Sequence, residues 1–228
     1  MKYVPIIPCY NPPKVFSNII LELYQMGVRD AIIIDDGSND KRIFSMVYEK
    51  GYTVIVHDNN KGKGEAIKSG LRYYKEHFMD KYKGIVMIDC DGQHRALDMD
   101  KIGQEMIHSD KFTIGVRNFN LDGVPFRNKM GNKITSSVFK WMFGVYIKDT
   151  QTGLRGIPNR LIDAFLITDG ERYEYEINML IDIVRMKEEI NEVEIETVYD
   201  NNRNRYSYFN PFKDSYKIYK EMIKKSKK

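Results

Sequence analysis

The chain has 228 residues and a near balance of charge, 36 Lys plus Arg against 32 Asp plus Glu, for a net charge of +4. That mild excess argues against a nucleic-acid partner, and 42% hydrophobic with 30% charged residues excludes a disordered chain and an integral membrane protein alike. The two cysteines, Cys9 and Cys90, sit in apolar runs, which excludes a disulfide scaffold and makes a reducing compartment the expectation.

Residues 3–7 read as a strand; the apolar opening is broken by prolines and is too short for a signal core. A helix is expected over 15–26, with Val15, Ile19, Leu23 and Met26 on one face and Gly27 as its stop. The purely apolar run 31–34 is a second strand, expected to be buried on both faces. A helix over 41–50, capped by Ser38 or Asp40, leads to a third strand at 52–56. A long helix over 63–78 leads to a fourth strand at 85–88, and a helix over 97–108 to a fifth at 112–116. This alternation predicts βαβ units and an α/β fold, a mostly parallel central sheet flanked by helices.

Beyond the fifth strand the pattern changes. A loop is expected over 118–127, a helix over 128–143, and a stretch of small polar residues over 149–156. A helix over 174–187 carries Ile177, Leu180, Ile181 and Val184 on one face, an edge strand follows at 192–198, and 211–228 reads as a basic helix. No apolar run reaches the roughly 18–20 residues of a spanning helix. The expectation is a cytoplasmic protein, in contact with a membrane only from its cytoplasmic face. No repeat or linker divides the chain, so one domain is expected over 1–228.

Ligands of parallel sheets bind beyond the carboxyl ends of the strands, and the polar clusters fall there. Asp35-Asp36-Gly37-Ser38 follows the second strand, Asp89-Cys90-Asp91-Gly92-Gln93-His94 the fourth, and Gly115-Val116-Arg117 closes the fifth. Asp89 and Asp91, one residue apart in extended chain, point the same way and repel each other, so a cation is their natural partner. Hard oxygens favour Mg²⁺ or Mn²⁺ with phosphates completing the shell, and Gln93 and His94 are at hand as further ligands. A solvated turn after a strand would also be rich in Asp and Gly. Asn60-Lys61-Gly62-Lys63-Gly64 opens the long helix and suits an anion, yet matches neither the P-loop nor the dinucleotide fingerprint. Arg117, Arg127, Arg203 and Arg205 have the fork that binds phosphate in two places.

Taken together, these segments resemble glycosyltransferase family 2, and within it the dolichyl-phosphate mannose synthase and bactoprenol-glycosyltransferase branch. Also in order are Ile7-Pro8-Cys9-Tyr10-Asn11, Pro125-Phe126-Arg127, Asp149-Thr150-Gln151-Thr152-Gly153-Leu154-Arg155 and Tyr173-Glu174-Tyr175-Glu176. The resemblance implies a GT-A fold, with a nucleotide-sugar half at 1–117, an acceptor half at 118–210 and the basic helix at 211–228. It implies that Pro8, Tyr10, Asn11 and Asp36 hold the nucleoside, with Asp35 among the residues that bind the nucleotide sugar. Lys63, Asp89, Cys90, Asp91, Arg203 and Arg205 would hold the rest of the donor, with Asp89, Asp91, Gln93 and His94 on Mg²⁺ or Mn²⁺. Arg117 and Arg127 would face an acceptor phosphate and Asp149 would position the acceptor or take a residual proton. The implied reaction moves a sugar, with inversion, from a nucleoside-diphosphate sugar to a polyprenyl phosphate. A soluble or cell-surface glycan hydroxyl as acceptor, and a non-catalytic nucleotide-sugar-binding protein, are the alternatives. The chain departs from the family pattern at Pro12, where an acid is usual, and at Arg95-Ala96. Without a spanning helix, the tail with Lys224, Lys225, Lys227 and Lys228 is the expected membrane contact.

Overall fold

The buried apolar runs become strands β1 (Val4–Cys9), β2 (Ile32–Asp35) and β4 (Gly84–Met87), every residue of which is buried. The computed structural model describes residues 2–119, 126–196 and 213–226, excluding the side chains of residues 126–128 and 213–215. The remaining strands are β3 (Thr53–Val56), β5 (Phe112–Arg117), β6 (Arg155–Pro158) and β7 (Ile190–Ile195). They form one sheet in the order β3-β2-β1-β4-β6-β5-β7.

Strand alternation divides the core in two. Ile6, Ile34 and Met87 face one cluster, while Ile7, Ile33 and Val86 face the other. The first cluster is closed by α3 (Lys63–His77), α5 (Phe126–Phe143), α6 (Ile162–Ile167), α7 (Glu174–Arg185) and α8 (Lys213–Ser226). The second is closed by α1 (Phe16–Gln25), α2 (Ser45–Glu49) and α4 (Ala96–Ser109). The expected mostly parallel sheet with helices on both faces is therefore what forms.

Three local expectations are corrected. The helix read over 41–50 opens as a 3₁₀ turn, Lys41–Phe44, before α2. Its cap is Asp40, whose carboxylate accepts from Arg42 N at 3.0 Å, whereas the Ser38 hydroxyl accepts from Asn11 N at 2.8 Å. Second, the polar stretch at 149–156 runs into β6, which pairs antiparallel with both β4 and β5. Arg155 stands opposite Met87 on one side and Ile114 on the other. Third, the tail helix is packed against α7 and α5 with Met222 buried. Lys225 is only 7% exposed and reaches Asp169 at 3.4 Å and Asp182 at 3.7 Å. Ion pairing draws Lys225 inward, whereas Lys224 is exposed, and Lys227 and Lys228 lie outside the described residues. No helix among the described residues is long and apolar enough to cross a membrane.

The reversed strand matters for the site. The other neighbours pair in parallel, β1 with β2 and β4, β2 with β3, and β5 with β7. Since β6 is antiparallel to β4 and β5, those two run the same way. The chain leading into β6 thus enters at the edge where β1, β2, β4 and β5 end.

Candidate active site

At that edge the two carboxylates after β2 turn inward. Asp35 accepts from Ser38 N at 2.8 Å and from the Lys41 ammonium. Asp36 accepts from Lys61 N at 2.9 Å and Gly62 N at 2.8 Å, and meets His57 Nδ1 at 2.7 Å. The loop before α3 thus presents its amides to Asp36, a built-in anion. Both carboxylates thereby shape the loops around the pocket. Asn11, held at a φ of 44°, accepts from Asn39 N at 2.8 Å and joins the β1 and β2 ends. Pro8 is buried and Tyr10 half-buried beside it.

Gly62 has a φ of +102°, and a Cβ there would lie 2.5 Å from the Glu171 carbonyl. The glycines before α3 therefore admit the chain that leads into α7, rather than a ligand as the sequence suggested. That close approach brings Glu176, in the first turn of α7, to Lys63. The Lys63 ammonium lies 2.7 Å from Asp89 and 2.8 Å from Glu176. Burial works against its charge, but the two carboxylates overcome this and hold its pKa above the ordinary lysine value.

Asp89 follows β4 and packs against Gly153, where a Cβ would fall 2.2 Å from its Oδ2. Burial opposes its charge too, yet Lys63, His94 and Arg155 together hold its pKa below the ordinary value. Asp91 behaves oppositely. Burial and repulsion from Asp89 push its pKa up to about 6, although Gln93 N donates to it at 3.0 Å. Two hard-oxygen side chains that repel each other suit a divalent cation. Among the described residues no group of three or more His, Cys, Asp or Glu is arranged as a metal cage. Such a site fits an ion shared with substrate phosphates, as Mg²⁺ commonly is, with Asp89 and Asp91 as its protein ligands.

His94 acts on the charge of Asp89. Its ring is buried, burial lowers its pKa to about 4, and among the described residues its Nδ1 has no hydrogen-bond partner. Cys90 packs, half-buried, against the second core with Cys9, whose thiol burial pushes up. Both are core residues.

Across the edge, Arg117 at the end of β5 meets Asp149 in a fork. Nε lies 2.6 Å from Oδ2 and Nη2 2.9 Å from Oδ1. Asp149 is 0% exposed and also accepts from Gln151 N at 3.1 Å. A carboxylate locked this way holds Arg117 in place, which disfavours the expectation that it takes a proton from the acceptor. Arg117 also lies over the Phe119 ring, 5.1 Å from its centroid. The Arg127 side chain, Arg203 and Arg205 lie outside the described residues.

Sequence reasoning assigned no role to Glu176, Arg155 or His57. Arg155 is wholly buried and donates to the Glu176 carbonyl at 2.6 Å and to the Thr152 carbonyl at 3.1 Å. It joins the start of β6 to α7. Its only signal was its place in the motif that begins at Asp149.

Comparison with known proteins agrees with this geometry. The family model described as glycosyl transferase family 2 matches residues 6–167. A dolichyl-phosphate N-acetylglucosaminyltransferase from Methanococcus voltae, named as using UDP-N-acetylglucosamine, is 31% identical over 215 residues, 85% of this chain and 84% of its own. Glycosyltransferase AglJ of Haloferax volcanii is 27% identical over 173 residues, covering 75% of this chain and 55% of its own. Glucosyl-3-phosphoglycerate synthase from Mycobacterium tuberculosis, solved with Mn²⁺ and UDP, superposes with a TM-score of 0.71 at 15% identity, over 98% of this chain and 78% of its own. The chain belongs to glycosyl transferase family 2, and its architecture is the GT-A fold of that class of enzymes.

Proposed function

We propose that the protein transfers a sugar from a nucleoside-diphosphate sugar to the phosphate of a polyprenyl phosphate, inverting the anomeric centre. The observation that carries this is the Arg117 guanidinium, fixed by Asp149 at the sheet edge that also holds Asp89 and Asp91. An oriented fork matches a phosphate acceptor better than a hydroxyl. The relative from Methanococcus voltae, named for a dolichyl-phosphate acceptor, supports the same reading.

In this reading residues 1–117 hold the donor, and residues 118–210 hold the acceptor. Pro8, Tyr10 and Asn11 line the nucleoside end, with Asp36 shaping the loop beside it. Asp89 and Asp91 would hold Mg²⁺ or Mn²⁺, which when bound would supply charge neutralisation for the departing diphosphate. Lys63 sits between Asp89 and Glu176, ready to pair with the donor diphosphate. Arg117, with Arg127, orients the acceptor phosphate for attack from the face opposite the leaving group. Asp149 acts as the positioning residue for Arg117. A phosphate acceptor is already largely ionised near neutral pH, so the step does not require a strong base.

The test is transfer of radiolabel from a panel of nucleotide sugars to a short-chain prenyl phosphate, with and without EDTA. Label in the lipid phase, lost on chelation, is the expected result. Label appearing only on a soluble phosphate-bearing or hydroxyl acceptor would overturn the lipid assignment. The fold likeness to a synthase acting on a phosphoglycerate makes that acceptor the comparison to include.

A further inference from the structure

Helix α5 is apolar on two faces. Its inner face carries Phe139, fully buried, with Val138, Met142 and Phe143 packed against the first core. Its outer face carries Met130, Ile134 and Trp141, exposed by 40%, 49% and 82%. Their spacing of four and seven residues places them on one stripe. Val145 and Tyr146, both exposed, continue it past the helix end, where Tyr146 lies under the Lys140 ammonium. Lys133 and Lys140 run along one edge of this stripe, and the 18-residue helix contains no acidic residue in a chain that has 32. Ser137, exposed, lies on the same stripe between Ile134 and Trp141, and exposed apolar side chains grouped this way beside basic ones mark a binding surface.

The same helix is tied to the site. Asn132, buried on its inner side, donates to the Lys148 carbonyl at 2.6 Å and accepts from Thr150 N at 3.2 Å. Those two bonds bracket Asp149, and through it Arg117. Whatever α5 rests upon therefore sets where the acceptor residues stand.

We infer that the outer face of α5 lies on an anionic lipid bilayer, with Ile134 and Trp141 in the headgroup–acyl boundary and Lys133 and Lys140 on lipid phosphates. This rests on the reading that the acceptor is a lipid-borne phosphate. It puts the membrane contact on α5, whereas in the tail Lys225 is held inward. Charge decides the occupant. Antiparallel pairing of this helix with that of a second copy would bring lysines together with no acid on either helix, whereas anionic headgroups supply the missing charge. Tryptophan and tyrosine suit that boundary, and an amphipathic helix binds there in the plane of the surface.

Trp141 is the only tryptophan in the chain, so its fluorescence reports on this face alone. With vesicles of equimolar phosphatidylglycerol and phosphatidylcholine, its emission should shift to the blue and be quenched by brominated acyl chains. The double variant Ile134→Glu/Lys140→Glu keeps Trp141 and should bind these vesicles roughly tenfold more weakly, or worse. It should retain wild-type transfer to a water-soluble short-chain prenyl phosphate, which shows it is folded, and lose transfer to acceptor embedded in vesicles. Three results would overturn the inference: no vesicle binding, binding with unchanged Trp141 emission, or a blue shift without lipid that tracks dimer formation in light scattering. Failure of the wild type on every prenyl phosphate, with the lipid-dependent blue shift intact, would remove the acceptor reading while supporting the docking face.

Discussion

Arg117 and Asp149 form a two-point ion pair, 2.6 Å and 2.9 Å, between the end of β5 and the chain that leads into β6. Removing one partner of a buried pair leaves the other uncompensated. Asp149→Asn should therefore destabilise the protein by about 3 kcal/mol, read from urea unfolding. In kinetics, Arg117→Met, Asp149→Asn and the double variant should each lose roughly 100-fold in kcat/KM, because all three remove one oriented guanidinium. Losses that multiply in the double variant would show instead that Asp149 acts on the acceptor in its own right.

Lys63 is the ammonium nearest Asp89, 2.7 Å away, and it competes with any cation for that oxygen. Lys63→Met should lower turnover and yet tighten Mn²⁺ binding to the donor-free protein roughly tenfold, by removing the ammonium that pairs directly with Asp89. Isothermal titration with Mn²⁺ alone measures this. Unchanged affinity would mean that Lys63 and the cation do not share Asp89.

Gly153 leaves no room for a side chain, since its Cβ would stand 2.2 Å from Asp89 Oδ2. Gly153→Ala should displace the Asp89 carboxylate, costing about 1–3 kcal/mol of stability and most of the activity. Unfolding midpoint and KM for the donor, measured together, separate a shifted carboxylate from a general loss of fold.

Burial depresses the pKa of His94 from 6.5 to about 4. Between those values the unfolded chain binds a proton that His94 in the folded protein refuses, so this residue's contribution to stability falls as pH drops from about 6.5 toward 4, against the opposite contribution of Asp91 with its pKa raised to about 6. One such group contributes a slope of at most about 1.4 kcal/mol per pH unit. His94→Gln should flatten that part of the stability profile, as read from urea midpoints at pH 7 and 4.5. An unchanged slope would place the acid sensitivity elsewhere.

The site's outline is legible where an apolar run ends in carboxylates, as at Ile34-Asp35-Asp36 and Ile88-Asp89-Cys90-Asp91, because buried strands of a parallel sheet read as unbroken hydrophobic runs. β6 is not legible. Its four residues, Arg155-Gly156-Ile157-Pro158, include a glycine, a proline and a charged group, each of which argues against a strand. Nor can sequence tell a carboxylate that faces a ligand from one that faces backbone amides. At Asp36 the sequence gives no sign that its oxygens accept from Lys61 N and Gly62 N. Glu176 reads as an ordinary acid in a helix's first turn, and only the packing of Gly62 and Gly64 against residues 171–175 reveals that it meets Lys63.

The backward course of β6 has a cost during synthesis. Until residues 155–158 leave the ribosome, β4 forms the raw border of a four-strand sheet, and its apolar Ile85 and Met87 offer unpaired amides to any other nascent chain. A stall anywhere between those two stretches would leave a half-built molecule that sticks to its neighbours.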